Sequence, residues 1–551
     1  MNPVIQNDFS GGIDNFNDDF RIANNCYSLA FNVRNRTGSL LGINGPLKID
    51  APPGKKQGIF GVEQFLILFN NGSAYYKIVS DIDADWIRIE GFFMNPNVDY
   101  IYATAVPAST LNLLKVVDSS KVDGIVLNDN TGIKNITING TAAGLLCQDG
   151  LNQPFLIKSD GSVLRTQSYS QWTADNRQYV PIGLNTVYHP NGITFVVSPD
   201  RKRIYRSVSG RPIDFVVNVD INGNKGGNAE TVSYAVSNED ITCLAVLNSG
   251  ELLVGTINGI YPLILNYDKV IFQEPTFLNN SSISAGITNQ HSFVDILGDY
   301  AFIDKDGMRS FNAVFQLHNE GRNSLFSILI NKLFTNISQN KLTAAFTFDN
   351  YAFFSVNTIY GSVVLIYDTT RQKWTSVDTL GVPSIKQFAS AKQSANPRLY
   401  FITDRDVYQY FGSGQALQSQ VRPRSIISGN LQNEIRLKNV RAAFDESIPN
   451  SIVSIQEISD GQVKSKIQEK LKGGTQGIAY PVIYPVKFKG GKVFENLNFN
   501  FVNRATLGYK IGIEVKWKDS SKLVQIQIET EDSTNLTSIR QQSGIYSSDK
   551  N

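Results

Sequence analysis

The stretch "AAFTFDNYAFFSVNTIYGSVVLIYDTTRQKWTSV", Ala344 to Val377, decides the reading of this chain. Apolar, β-branched and aromatic residues run together and are broken only by Asp-Asn, by Ile-Tyr-Gly and by Thr-Thr-Arg-Gln. Residues of the first kind suit a pleated, buried surface, and Asn, Asp and Gly accept the backbone of a tight turn. The stretch therefore reads as four consecutive antiparallel strands. Four strands in about 40 residues is the unit of one β-propeller blade.

Working outward, the same strand–turn–strand pattern recurs in "FLILFNNGSAYYKIV" (turn near Asn71), "FLIKSDGSVLRT" (Asp160), "TFVVSPDRKRIYRSV" (Asp200), "ELLVGTINGIYPLIL" (Asn258), "YAFIDKDGMRSF" (Asp306) and "RLYFITDRDVYQYF" (Arg405). With Asn350 and Thr370 in the quoted stretch, that makes eight hairpins. From Asp160 onward their turns lie 40, 58, 48, 44, 20 and 35 residues apart, and most of these gaps match one blade. The expected fold is all-β: a propeller of about six blades, the alternative being a β-sandwich or several stacked sheets.

Four segments follow. Residues 1–50 read as an extended N-terminal assembly arm, because "FSGGIDNFNDDFRIANNCYSLAFNVRNRTGSLLGING", Phe9 to Gly45, is rich in Asn, Asp and Gly and lacks helical period. Residues 51–415 read as the propeller, with an irregular or inserted region at about Met94 to Leu146. "NSLFSILINKLF", Asn323 to Phe334, is its one amphipathic helix, with Leu325, Ile328, Leu329 and Leu333 on one side. Residues 416–535 read as a C-terminal β-sandwich-like domain: in "ENLNFNFVNR", Leu497, Phe499 and Phe501 share one face and Asn496, Asn498 and Asn500 the other. Residues 536–551 read as a flexible tail.

Composition narrows the function. Lys plus Arg (51) nearly cancels Asp plus Glu (49), so the molecule as a whole generates no strong field toward nucleic acid or an anionic membrane. Cys26, Cys147 and Cys243 are isolated, which excludes a CxxC metal site and points to free thiols. No apolar run reaches the roughly 18 residues of a spanning helix, and no signal peptide is expected, so no membrane insertion is expected either.

Catalytic motifs are missing. His189, His291 and His318 are scattered, and neither GxSxG, GxxxxGK[ST] nor GxGxxG occurs. "DIDADW" (Asp81, Asp83, Asp85) and "DINGNKGG" (Asp220, Asn222, Asn224) fail as calcium loops, since Trp86 and Lys225 occupy the sixth position where Gly is needed. No catalytic, cofactor-binding or metal-binding residue is assigned, and no cofactor. One basic stretch stands out: Lys464, Lys466, Lys470, Lys472, Lys487, Lys489 and Lys492 against Glu469, with Tyr480, Tyr484 and Phe488 among them. It reads as a solvated sheet face that also blocks edge pairing, with nucleic-acid contact as the alternative.

The opening "FSGGID…N" followed by "SLAFNVRNRTGSLLGINGP" resembles the start of the tail nozzle, or tubular tail protein B, group of short-tailed bacteriophages. "RIYRSVSGRPIDF" (Arg203 to Phe215), "DYAFIDKDGMRSF" (Asp299 to Phe311) and "VLIYDTTRQKWTSVD" are similar to blade phrases of that group, in the same order. The last also resembles a kelch blade, without the Gly doublets of kelch repeats. The Asn-rich, Met-poor composition is similar in style to crAss-like phages. The resemblance implies a non-enzymatic virion protein made in the host bacterial cytoplasm: a homo-hexameric ring at the distal end of a short tail, a nozzle or muzzle that extends and gates the DNA-ejection channel. Implied partners are tail hub or tube proteins, tail fibres and, in passage, double-stranded DNA. The polar arm would then order itself across neighbouring subunits. Trp374 and Asp368 are expected to build a blade. The competing readings are a receptor- or glycan-binding propeller and, third, a glycan-cleaving propeller enzyme, which would need converging carboxylates.

Overall fold

The computed structural model describes residues 3–532, apart from 36, 63, 80–84, 108–136, 139–140, 159–162, 176, 232, 236–237, 248–249, 265–275, 278–285, 305–306, 312–326, 331–341, 359–360, 394–395, 430–432, 446, 474–493 and 503. The chain is all-β; among the described residues the helical elements are two single 3-10 turns, Tyr169–Gln171 and Ile328–Ile330.

Seven antiparallel sheets follow one another along the sequence. The first is Lys56–Val62, Phe65–Asn70, Ser73–Ile78 and Ile87–Arg88. The second is built on Tyr102–Pro107, Thr141–Gln148, Phe155–Ile157 and Val163–Arg165. Leu184–His189, Ile193–Val197, Arg203–Arg206 and Tyr234–Ala235 form the third. Ile241–Val246, Leu252–Thr256, Ile260–Ile264 and Thr276–Phe277 form the fourth. The fifth has Phe293–Asp295, Tyr300–Asp304 and Gly307–Ser310. The sixth is the quoted stretch: Leu342–Phe348, Tyr351–Thr358, Gly361–Asp368 and Lys373–Asp378. The seventh has Gln387–Gln393, Asn396–Ile402 and Val407–Gln409, and its fourth strand, Leu47–Ile49, comes from the start of the chain.

All eight hairpins expected from sequence form paired strands. Turn chemistry sets the tightest ones. At Asn71-Gly72 both central residues have positive φ, 48° and 75°, as the type I′ turn of a two-residue hairpin requires. Asp349-Asn350 does the same at 53° and 28°.

The strands read as apolar runs rather than alternating ones because both faces of each sheet are covered. In Phe65–Asn70, Phe65, Ile67 and Phe69 pack with the second sheet, whereas Leu66 and Leu68 pack with the seventh. Leu145 and Cys147 face the first sheet and Leu146 the third. Phe353 joins the seventh sheet and Phe354 the opposite cluster. Apolar clusters likewise join the third sheet to the fourth and the fourth to the fifth. Residues of the fifth and sixth share another. The packing thus runs through all seven sheets and returns from the seventh to the first.

The remaining strands form a terminal module. One sheet runs Glu495–Asn500, Ile435–Asp445, Lys522–Asp532, Leu40–Gly42, Val33–Asn35, with Val4–Gln6 on Lys522–Asp532. The other extends the sixth sheet through Cys26–Phe31, Gln418–Pro423, Lys510–Lys518, Ile452–Ser459 and Gln462–Lys470. Both sheets contribute to one apolar core: Val440, Phe499 and Ile526 from the first, Ile455, Val515 and Trp517 from the second. Leu497, Phe499 and Phe501 face inward and Asn496, Asn498 and Asn500 outward, as expected.

The extended arm is corrected. Phe9, Tyr27, Ala30, Val33 and Leu40 are fully buried in this core, and Tyr27, Leu29, Ala30 and Phe31 pair with Pro423, Arg422, Val421 and Gln420. Several of its polar side chains, among them Asn32, Arg34 and Asn35, are buried too, and find partners there. Asn32 Nδ2 donates to Gln418 O at 2.8 Å and to Thr379 Oγ1 at 2.9 Å, and Asn35 Oδ1 accepts from Arg371 at 3.1 Å. The module therefore combines strands from residues 4–42 with strands from residues 418–532.

The expected helix lies mostly outside the described residues; Ile328–Ile330 is a single turn, with Ile330 buried and Ile328 exposed. In the irregular region Tyr102–Pro107 pairs directly with Thr141–Gln148, so this stretch elaborates the second sheet. Residues 108–136 and the tail, 536–551, lie outside the description.

Candidate functional site

First strands of neighbouring sheets pack on one another, as those of the seventh and first, second and third, third and fourth, and fifth, sixth and seventh do, and side chains bridge where backbone ladders do not. Gln387 opens the seventh sheet; its amide donates to Ile59 O at 2.8 Å and accepts from Ile59 N at 3.1 Å, in the first sheet. Gln290, before the fifth sheet, does the same to Leu244 of the fourth, at 2.7 and 2.9 Å. A primary amide offers the donor and acceptor of a peptide group, so it satisfies both backbone groups of a facing strand. Asn185, held at φ 44°, donates to Thr242 O at 2.7 Å, and Lys386 Nζ donates to Lys56 O at 3.0 Å and Asp99 O at 2.9 Å.

Between these strands lies a cavity of about 340 Å³ walled by Tyr102, Thr186, His291, Phe346 and Phe388 among others. Thr186 is 4% exposed, and neither its Oγ1 nor His291 Nε2 has a hydrogen-bond partner among the described residues. His291 stacks on Tyr102, ring centroids 6.4 Å apart. Burial, then the charge of Lys386, lowers its pKa to about 4, so the ring is neutral at pH 7. A lone neutral imidazole and a hydroxyl between aromatic rings can hold water or a small weakly polar molecule. They supply no nucleophile with a base and no acid–base pair.

Where the first strands begin, two open cavities of about 850 and 860 Å³ lie side by side and share Asp99. They gather Lys48, Lys55, Asp404 and Asp406 in one and Asp149, Arg201, Lys202 and Glu239 in the other. These charges are committed to one another. Lys55 Nζ lies 2.7 Å from Asp99 Oδ1, Lys48 Nζ 2.8 Å from Asp406 Oδ1, Lys202 Nζ 2.6 Å from Asp240 Oδ1, and Lys386 Nζ 3.1 Å from Asp404 Oδ1. Asp149 accepts from the backbone of Asn95, Leu151 and Asn152, which outweighs its burial and lowers its pKa. Hydrogen bonds from Asn258 and Thr256 lower that of Glu239. Glycoside hydrolysis needs one carboxyl held protonated beside one ionised. The described acid whose pKa is raised furthest is Asp214, to about 6 by burial, and it accepts from Trp172 Nε1 at 2.9 Å and Val216 N at 3.2 Å inside the third sheet's packing, away from these cavities.

Of the calcium candidates, Asp220 turns its carboxylate onto Asn222 N and Asn224 N, at 2.9 and 2.8 Å, as a turn cap. Asp81 and Asp83 lie outside the described residues. No cluster of His, Cys, Asp and Glu suited to a metal occurs among the described residues. Burial raises the pKa of Cys147 and Cys243, leaving both as core thiols. Trp374 and Asp368 build their sheet as expected: Trp374 packs edge-to-face on Tyr367 at 5.0 Å, and Asp368 caps Thr370 N and Arg371 N. Lys464, Lys466 and Lys470 lie exposed on Gln462–Lys470; Lys487, Lys489, Lys492, Tyr480, Tyr484 and Phe488 lie outside the description.

Sequence reading missed the bridging glutamines and the buried Lys56 and Lys386. The signal was there but short: a Lys-Gln pair opens both the first sheet (Lys56-Gln57) and the seventh (Lys386-Gln387). No protein-family model matches the chain, and none of the curated proteins matches it.

Proposed function

We propose that this protein is a seven-bladed β-propeller, one blade more than the sequence spacing suggests, carrying a composite terminal β module, and that it serves as a non-enzymatic structural component of a short phage tail, of the nozzle type. The propeller reading rests on seven consecutive sheets whose packing returns from the seventh to the first, and on Leu47–Ile49 completing the seventh sheet from the opposite end of the chain. A strand contributed from the far end of the sequence closes such a ring against unwinding.

The observation that carries the structural role is the treatment of charge and ends. Strands from both the N-terminal and the C-terminal part of the chain are woven into one module fused to the sixth sheet, and the acids of the two open cavities are ion-paired or hydrogen-bonded, with the pKa of Asp99, Asp149 and Glu239 lowered. That is the design of a load-carrying part rather than of an acid–base catalyst. The central cavity, about 340 Å³, is too small for a duplex whose major groove alone is about 12 Å wide. DNA would therefore pass between copies in a closed ring, by heterologous contacts, and not through the propeller of one copy.

Quantitative mass spectrometry with cross-linking on purified particles tests this. The expected result is about six copies per particle, as closure of a six-fold ring requires, cross-linked to each other and to tail-hub proteins. Absence from particles, or recovery only as a free monomer, overturns it. The second reading, a receptor- or glycan-binding propeller, draws on the two open cavities and the aromatic Tyr100 and Tyr102 that line one of them; a glycan array with the purified chain separates the two.

A further inference from the structure

We infer that the outer face of the larger sheet of the terminal module is a docking surface for the phosphodiester backbone of double-stranded nucleic acid, read without regard to sequence. The register places its residues. Gln456 pairs with Lys466 and with Glu514, Ser454 with Gln468 and with Lys516, and Ile452 with Lys470. Lys516 also faces Gln420, and Lys518 faces Gln418. Residues directly opposite one another, and their neighbours two along, share a face. Lys466, Lys470, Lys516 and Lys518 therefore stand on one side, with Lys464 at the bulge beside Lys466. Arg422 joins them, its Nη2 2.8 Å from Glu514 Oε2. Ser465, Ile467 and Glu457 belong to the other side: Ser465 Oγ donates to Glu457 Oε2, and Ile467 packs on the core.

Around Glu514 this face gathers six cations; Lys510, further along the same strand, is paired with Asp19 at 2.7 Å. Arg422 and Lys516, the latter 2.5 Å away, already neutralise Glu514, which is itself almost wholly buried. Lys466, Lys470 and Lys518 are exposed and have no carboxylate partner among the described residues. The chain as a whole carries only +2, so this face is far more cationic than the chain's average. Protection of an edge strand accounts for lysines on Gln462–Lys470 but not for Lys516 and Lys518, which stand two strands further in. Between the cations lie Gln418, Gln420, Gln456 and Gln468, neutral side chains that also bond phosphate oxygens. Along a strand, alternate side chains are about 6.6 Å apart. A handful of such contacts gives weak, salt-sensitive binding that slides along the backbone. Trp517, between Lys516 and Lys518, turns its ring into the core, so among the described residues of the three outermost strands no aromatic ring stands beside these cations on the outer face, which favours a duplex over unstacked single strands.

The inference stands apart from the tail reading, and its test uses the purified full-length chain. Fluorescence anisotropy of a labelled 30-base-pair duplex of random sequence, titrated at several salt concentrations, is compared for wild type and the K464Q/K466Q/K470Q/K518Q variant. Wild type is expected to bind at 50 mM salt; the variant, melting as wild type does, is expected to bind at least tenfold more weakly, with a log–log salt slope shallower by about 3 to 4. Lysine acetylation footprinting of wild type should show Lys464, Lys466, Lys470 and Lys518 protected by the duplex, which keeps the test decisive if the variant misfolds. No binding by wild type at 50 mM salt, equal binding by the variant, or no protection overturns the inference. Equal competition by polyglutamate overturns it in favour of an acidic protein partner.

Discussion

Arg34 and Asp378 form a buried ion pair that joins the N-terminal segment to the last strand of the sixth sheet, with Arg34 Nη1 3.1 Å from Asp378 Oδ1 and Nη2 on Oδ2. Tyr410 of the seventh sheet also donates to Asp378, at 2.6 Å, and the guanidinium lies 5.2 Å over the Phe411 ring. Burial alone would lower the arginine's pKa; the Asp378 charge reverses this and raises it. One carboxylate thus ties the N-terminal segment, 344 residues away in sequence, to the sixth sheet and to Tyr410.

Removing one partner leaves the other as an uncompensated buried charge. Arg34→Met is expected to destabilise the protein by about 3–5 kcal/mol, read from denaturant midpoints. Asp378→Asn keeps the hydrogen-bond acceptor for Tyr410 but leaves the Arg34 guanidinium, which cannot deprotonate, buried and unpaired, so a comparable loss is expected. A loss below about 1 kcal/mol for Arg34→Met, the scale of an exposed pair, would refute the role.

Deletion of residues 1–45 is expected to abolish cooperative folding of the terminal module, because it removes Phe9, Tyr27, Val33 and Leu40 from the core and the strands Val4–Gln6, Cys26–Phe31, Val33–Asn35 and Leu40–Gly42 from its sheets. Tyr27→Ala tests the point with one side chain: a buried aromatic removed from a packed core costs about 3–5 kcal/mol. Its hydroxyl also donates to Thr375 O at 2.8 Å. Limited proteolysis should cut the truncated chain throughout 416–532; an intact, two-state melt of the truncation would restore the reading of a detachable arm.

The bridging amide is separable from packing. Gln387→Ala leaves the backbone N–H and C=O of Ile59 without their partner, an expected loss of about 1–3 kcal/mol, and Gln387→Glu restores only the acceptor. Hydrogen exchange should quicken at Ile59 in Gln387→Ala and at Leu244 in Gln290→Ala. Unchanged exchange would mean that the first strands hold their spacing without the amides.

His291 gives a pH dependence with a defined sign. Its folded pKa, about 4, lies below the unfolded value of 6.5, so the unfolded state binds more protons between the two. Its contribution is fully present above pH 6.5 and is lost as pH falls toward 4, by at most about 1.4 kcal/mol per unit. Asp214 acts oppositely: its folded pKa is raised to about 6, so its contribution is present below the unfolded value of 3.8 and lost as pH rises through 6. Urea midpoints from pH 4 to 7 should therefore fall less steeply toward acid for His291→Gln than for wild type, and more steeply for Asp214→Asn. Parallel curves for all three proteins would contradict both assignments.

The sequence by itself determined the local structure. The hairpins, their turn residues and the outward asparagines of Glu495–Asn500 were legible because strand periodicity and turn chemistry act between near neighbours. The tertiary structure alone decided where Phe9 to Gly45 goes. That segment's polarity is met by partners such as Asp378, Thr379 and Gln418, more than 340 residues away. Hydropathy registers the cost of burying Asn32, Arg34 and Asn35 but not the distant groups that satisfy them. The bridging glutamines and the cationic face were hidden for the same reason: Gln387 meets Ile59, and Lys466 joins Lys516, only after sheets distant in sequence have been laid side by side.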